Sequence, residues 1–385
     1  MAGFTSLDNL ITNVSNSGKF WRSDWNKNHA TAGTVVAGTW SSFSAGAGNP
    51  PANTALVAAV TKTWHPAYDF VAANAGIQHN GFVSAAGDGY KVILNASAYS
   101  GAATSAPCIM MLVDLLAYSQ LTAATLATAG TYTFLNTENV TFDDGTGYLR
   151  MITANDYDSY TPFTLSGAGT PPTGLADDTM YWTIRVDSTH SKVCTSLANA
   201  IAGTAVAYTN TGTPTNTLTC RWPRYATGAG VDVMLFNLVA HATAGTSNIT
   251  LNYTNAAGTG GKATPATLPA NLTTVPIFSV PYSGTASGKY GPFLPRAAGD
   301  TGVQSMQSLV TSGNLANGAW AVAAVKPLLT LPITTIGVAS ERDLVNQLPS
   351  MPRVYDGACL MWLVYTQAAI PNNTAYYGHL DFGWS

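Results

Sequence analysis

The chain has 385 residues and a net charge of −3, and only 9% of it is Asp, Glu, Lys or Arg, against roughly a quarter in an ordinary soluble domain. A compact monomer of this mass exposes about 14,000 Å², which leaves roughly one charge per 400 Å². The scattered Lys and Arg form no stripe for nucleic-acid phosphates, and so little charge suits a chain buried against other subunits or one living outside the crowded cytosol.

The opening Met1-Ala-Gly-Phe-Thr-Ser-Leu-Asp8 lacks the basic start and apolar stretch of a signal peptide. The expectation is synthesis in a cytosol and no membrane insertion. Ser6 can cap a short helix with Leu7, Leu10, Ile11 and Val14 on one face, stopped by Gly18. Behind it, Phe20-Trp21-Arg22-Ser23-Asp24-Trp25 gathers aromatics near the terminus. Phe20, Trp21 and Trp25 are read as an anchor on a neighbouring subunit, with packing into the chain's own core as the alternative.

Strands are expected at 106–115, 180–186, 231–239, 248–254, 303–310, 319–325, 358–365 and 376–382, with Gly, Pro, Asn and Thr turns between them. Ser340-Glu341-Arg342-Asp343 is read as the capped start of a second helix that ends before Pro349. Many strands and few helices predict a mainly β fold, a jelly-roll-like or β-sandwich body. The Thr-rich stretch 120–220 reads as a small inserted β-domain with a helical turn at Ser196–Ile201, making the body discontinuous, 1–119 plus 221–385.

Three loops echo one another: Pro223-Arg224, Pro295-Arg296 and Pro352-Arg353 each lead through Gly into an apolar strand. Arg224, Arg296 and Arg353 are candidates for subunit contacts, where guanidinium forks serve well. The unequal spacing excludes a solenoid. Cys108, Cys194, Cys220 and Cys359 form no C-x-x-C pair and read as buried thiols, although Cys194 and Cys220 flank one stretch and could pair.

Catalytic and metal signatures are thin. The six histidines show no H-x-x-x-H spacing, and Glu occurs only at Glu138 and Glu341. Asp143-Asp144-Gly145 and Asn155-Asp156-Tyr157-Asp158 offer oxygens but not the alternate spacing of a calcium loop. Neither a cofactor nor a metal is expected, and a structural protein is favoured over an enzyme.

Pro172-Thr-Gly174-Leu175-Ala-Asp-Asp-Thr179-Met-Tyr181-Trp182, followed by Ser196-Leu197-Ala-Asn-Ala200-Ile-Ala-Gly203-Thr204, resembles small β-modules that recur in tailed-bacteriophage virion proteins. The match covers about 60 residues and departs from the module where Trp182 replaces a usual Tyr. The body more loosely resembles phage structural proteins. The resemblance implies a capsid decoration or cement protein on the capsid exterior, bound to the major capsid protein and trimeric, with an outward-facing insertion. A tail or fibre adhesin that stacks host glycan on its aromatics is the alternative. It implies no catalytic residues.

Overall fold

The computed structural model describes residues 4–29, 34–35, 37–58, 64–84, 87, 89–102, 105–122, 129–143, 147–152, 157–167, 169–208, 216–239, 248–264, 268–269, 280, 291–313, 318–347 and 351–385. The fold is mainly β: three antiparallel sheets and one closed barrel.

The central sheet runs Asp232–Val239, Ala319–Ile333, Cys108–Leu121, Cys359–Thr366 and Trp40–Ser42, with His65–Pro66 paired to Cys108–Leu121. It has a sheet on each side, and the sequence says why. Along Cys359–Thr366, Leu360, Trp362 and Val364 enter one core while Cys359, Met361 and Leu363 enter the other. A strand buried on both faces has no use for alternation, so it reads as one apolar run.

The front sheet orders Ser340–Asp343, Lys91–Ser100, Thr374–Trp384, Phe20–His29 and Gly48–Asn49, with Arg353–Val354 also on Lys91–Ser100. Ile93, Ala96, Leu380 and Phe382 fill its side of the first core. The back sheet orders Lys262–Ala263, Asn248–Asn255, Val303–Thr311 and Gly130–Thr133, and Ile249, Leu251, Tyr253, Met306 and Leu309 fill the second. Pro327 and Pro332 lie in Ala319–Ile333 beyond Val325, where pairing with Asp232–Val239 ends. Their missing N–H groups cost no ladder bond on that open edge.

The barrel closes through Pro162–Gly167, Met180–Arg185, His190–Cys194, Tyr148–Met151, Thr137–Asp143 and Asn216–Cys220. Val140, Phe142, Leu149, Phe163, Leu165, Val193 and Leu218 fill it. Cys220 N–H donates to Asn136 O at 2.8 Å, so the barrel's two chain ends are neighbours. The expected boundary at 120 shifts: Cys108–Leu121 continues in the central sheet and Gly130–Thr133 pairs with Val303–Thr311 of the body. Thr-rich composition misled there, because a half-exposed edge strand of the body looks like a barrel strand.

All eight expected strands form, several of them longer than expected. Ser196 caps the short helix Leu197–Ile201, its Oγ accepting from Asn199 N–H at 3.1 Å. The second expected helix is corrected. Ser340–Asp343 is a strand, and the cap is Asp343, whose Oδ1 accepts from Val345 N–H at 2.9 Å at the start of Leu344–Gln347. The four cysteines are buried and free, so Cys194 and Cys220 do not pair.

Candidate functional site

The N-terminal corner differs from the expected anchor. Ser6 caps Leu7–Ile11, which continues as a π-turn over Thr12–Asn16. That change of pitch rotates the apolar stripe. Leu10 is buried against Val92 and Leu94 with Val14 beside it, while Leu7 and Ile11 are 60% and 48% exposed. Phe20–Trp25 is not a free segment but the start of a front-sheet strand, paired residue by residue with Gly378–Gly383.

Alternation puts Phe20 on the face opposite Trp21 and Trp25, and position along the strand then separates the two tryptophans. Trp25 points inward, 2% exposed and 5.5 Å from the Trp362 ring, so it belongs to the core and not to a subunit contact. Phe20 and Trp21 are 40% and 43% exposed at the strand's end. Arg22 holds Asp381 through two hydrogen bonds of 2.6 and 2.7 Å. Phe20, Trp21, Leu7 and Ile11 are thus the open apolar side chains of this corner.

The three Pro-Arg loops place their arginines differently, and Arg224 is corrected from a subunit contact to an internal one. Arg224 is buried, its Nε and Nη2 on the two oxygens of Asp114 at 2.8 and 2.7 Å. Its remaining donors reach Gly357 O, Ala67 O and Leu115 O, and Asp114 also accepts from Cys359 N–H. A buried guanidinium that meets five acceptors bolts loops to the central sheet and presents no face to another subunit. Arg296 lies 3.3 Å from Asp232 and stays partly exposed. Arg353 is clamped between the rings of Tyr90 and Tyr355, at 3.7 and 3.9 Å. The first two loops run side by side: a Cβ on Gly228 would stand 2.3 Å from Val303 O, and one on Gly302 2.0 Å from Gly228 O. Glycine recurs there for close approach of backbones.

Further charges are buried that the sequence reading passed over. Lys27 Nζ donates to Gly46 O, Pro50 O and Pro51 O at 2.7 to 3.0 Å, and burial pulls its amine down to about 8. Lys91 Nζ donates to His79 O and Gly81 O and lies 3.4 Å from Asp356. His79 Nε2 donates to Ala358 O at 2.8 Å and stands 3.2 Å from Asp69. Burial pushes the Asp69 carboxyl up to about 6 and pulls the imidazoles of His79 and His29 down to about 3 and 4. The signal was present in the sequence: a lone ion inside an apolar run, as Lys91-Val-Ile-Leu or Asp114 within 106–118, needs an internal partner.

Among the described residues no group of three or more His, Cys, Asp or Glu is placed to hold a metal ion, and no helix is long and apolar enough to cross a membrane. Asp144, Asn155 and Asp156 of the weighed calcium stretches lie outside the described residues. The barrel docks through His65 Nδ1 to Asp158 at 2.5 Å and Tyr68 Oη to Tyr160 O at 2.9 Å. Within the barrel, Tyr181 of the phage-like motif accepts Ala176 N–H at 2.8 Å and so closes its own turn.

No family model matches the chain, and no curated protein matches it. Solved structures give faint likenesses. The structure of the infectious bursal disease virus Gx strain is 10% identical, covers 97% of this chain and 85% of that one, and has a TM-score of 0.17. The VP2 subviral particle of that virus is 10% identical over 77% and 81% of the two chains, at 0.14. The T=1 particles derived from it are 10% identical over 100% and 84%, at 0.16. At such scores the likeness carries no argument about fold or function, and the fold rests on the strands described above.

Proposed function

We propose that this chain is a structural component of a virus particle rather than an enzyme, and within that class a capsid decoration or cement protein of a tailed bacteriophage. One observation carries the reading: what little charge the chain has is partly spent indoors. Of its 35 charged side chains, Lys27, Asp69, Lys91, Asp114, Glu138, Arg224 and Asp381 are buried. At most 28 remain for 14,799 Å² of surface, about one per 500 Å². Free proteins use surface charge to stay apart, whereas a subunit meant for a lattice has less need of it. The three-layer body suits a shell component, and the phage-like motif in the barrel favours the tailed-phage assignment. The major capsid protein is the expected partner, a homotrimer the expected state, and the exposed corner at Leu7, Ile11, Phe20 and Trp21 the expected contact.

Sedimentation with and without empty shells tests this. A defined oligomer, or a chain that pellets with shells, supports it; a stable monomer that ignores shells overturns it. The adhesin alternative has its own support in Tyr99 and Tyr377, stacked at 5.2 Å on the outer face of the front sheet beside Asn26 and His379. Attachment to host cells lost in Tyr377→Ala, with shell binding intact, would favour that alternative.

A further inference from the structure

The Lys91–Asp356 pair is more than a buried salt bridge in its geometry. Lys91 opens the strand Lys91–Ser100, and its side chain is fully buried. Val354, two residues before Asp356, is its register partner, so sheet pairing sets the start of the turn that carries Asp356 to Lys91. Two of the three ammonium protons are committed: Nζ donates to His79 O at 2.9 Å and to Gly81 O at 2.6 Å. The third faces Asp356, with Oδ1 at 3.4 Å. The carboxyl is held from its far side, Oδ1 accepting from Val83 N–H at 3.1 Å and Oδ2 from Ser84 N–H at 3.0 Å. Asp356 is itself only 13% exposed.

We propose that Lys91 and Asp356 condense into an intramolecular isopeptide bond between Nζ and the side-chain carbonyl carbon Cγ. The third ammonium proton passes to the carboxylate, leaving a neutral amine beside a neutral acid. The two carbonyls still hold the remaining N–H groups, so the lone pair points where the third proton was, at Asp356. Nitrogen attacks Cγ, the backbone N–H on the carbonyl oxygen steadies it as it gains charge while the other N–H stays on the hydroxyl oxygen, and the hydroxyl departs with a second proton from nitrogen as water. Ammonium plus carboxylate gives amide plus one water, and no oxidant, reductant or co-reactant is needed. Burial favours the step because it disfavours the charged pair, and it draws the Lys91 amine below its ordinary value. The bond would tie the front sheet to the turn that feeds Cys359–Thr366 of the central sheet. This inference is independent of the virion reading, since the geometry is internal to one chain.

The mass of the full, denatured chain decides it. A mass about 18 Da below that of the sequence, one water lost, is expected, with a linked peptide pair carrying Lys91 and Asp356 after digestion. Lys91→Arg and Asp356→Ala should each restore the full mass, a reading that does not require either variant to fold. Full mass in the wild-type chain overturns the proposal. So does a water loss confined to the Asp356-Gly357 peptide and retained in Lys91→Arg, which would be a succinimide formed at that Asp-Gly step.

Discussion

The body and the barrel solve burial in different ways. Barrel strands bury one face: Thr137–Asp143 and Asn216–Cys220 alternate between filled and open positions around a single core. The body's central strands bury two faces, and the body places ions inside, with Arg224 on Asp114 of the central sheet and Lys27 of the front sheet on three carbonyls. The barrel buries one carboxylate, Glu138 on its filled face, while His190 with Asp187 and Asp143 stays at the rim. The contrast is one of degree: internal ions hold the body's long loops at several places, whereas among its described charged residues the barrel buries only Glu138. Each expectation below sets one region against the other.

The largest effect should come from breaking the buried pair. Arg224→Met leaves Asp114 charged and stripped of its main partner, a change that costs about 3–5 kcal/mol. Lys192→Met in the barrel, where the ammonium sits 6.0 Å from the Tyr148 ring, should stay within about 0.5 kcal/mol. Urea denaturation of both variants checks the difference, and equal costs would mean that Arg224 is no bolt. Next in size is the split within one strand. Trp25→Ala should cost about 3–5 kcal/mol as a core truncation, while Trp21→Ala should leave stability nearly unchanged. Instead, Trp21→Ala should weaken oligomer or shell binding by on the order of 2 kcal/mol, the size of an interface hot spot.

That split marks how far the sequence could be read. The central strands were legible because burial on two faces leaves an unbroken apolar run, as in Cys359–Thr366. Phe20–His29 was not. Its alternation of Trp25, Lys27 and His29 inward with Asp24 and Asn26 outward places ions on the buried side, so it does not look like a strand until the carbonyls around Lys27 are known. Ser340–Asp343 failed for a related reason: a Ser and an Asp three apart cap a helix only if no strand edge competes, and Lys91–Ser100 offers one. The Pro-Arg echo was real as local structure but silent about direction. Whether an Arg turns inward, as Arg224 does, depends on Asp114, which lies 110 residues away in the chain.

Acid should act on the body before the barrel. His29 is buried, with Nε2 2.8 Å from Ser41 Oγ, and its imidazole is drawn down to about 4 by loss of solvent. An unfolded chain takes up this proton below about 6.5, and the fold refuses it until about 4. Stability from His29 is therefore intact above about 6.5 and is lost as pH falls toward 4, by on the order of 3 kcal/mol. His79 acts in the same direction, and Asp69 opposes it because its carboxyl is raised. Thermal melts of His29→Gln should show a shallower loss between pH 6.5 and 4 than the wild-type chain; parallel profiles would mean the ring titrates normally.

The smallest effect should follow the largest change in sequence. The barrel's chain ends meet, Cys220 N–H on Asn136 O, and Asn136 is pinned to the body by its Nδ2 on Met306 O at 2.9 Å. Replacing 137–220 by a short Gly/Ser linker therefore closes a gap that the body already holds closed. What the body loses is the docking contact: the His65–Asp158 and Tyr68–Tyr160 bonds, the two bonds of Arg221 to Pro162 O and Thr164 Oγ1, and the Tyr160 ring at 5.5 Å from Phe70. A few contacts of this kind are worth roughly 2–3 kcal/mol, or a fall of about 5 °C in Tm for a unit of this size. Differential scanning calorimetry should show a single cooperative transition near the wild-type temperature. Loss of cooperative unfolding would mean that the barrel shares the body's core, and that the two means of burial are not separable.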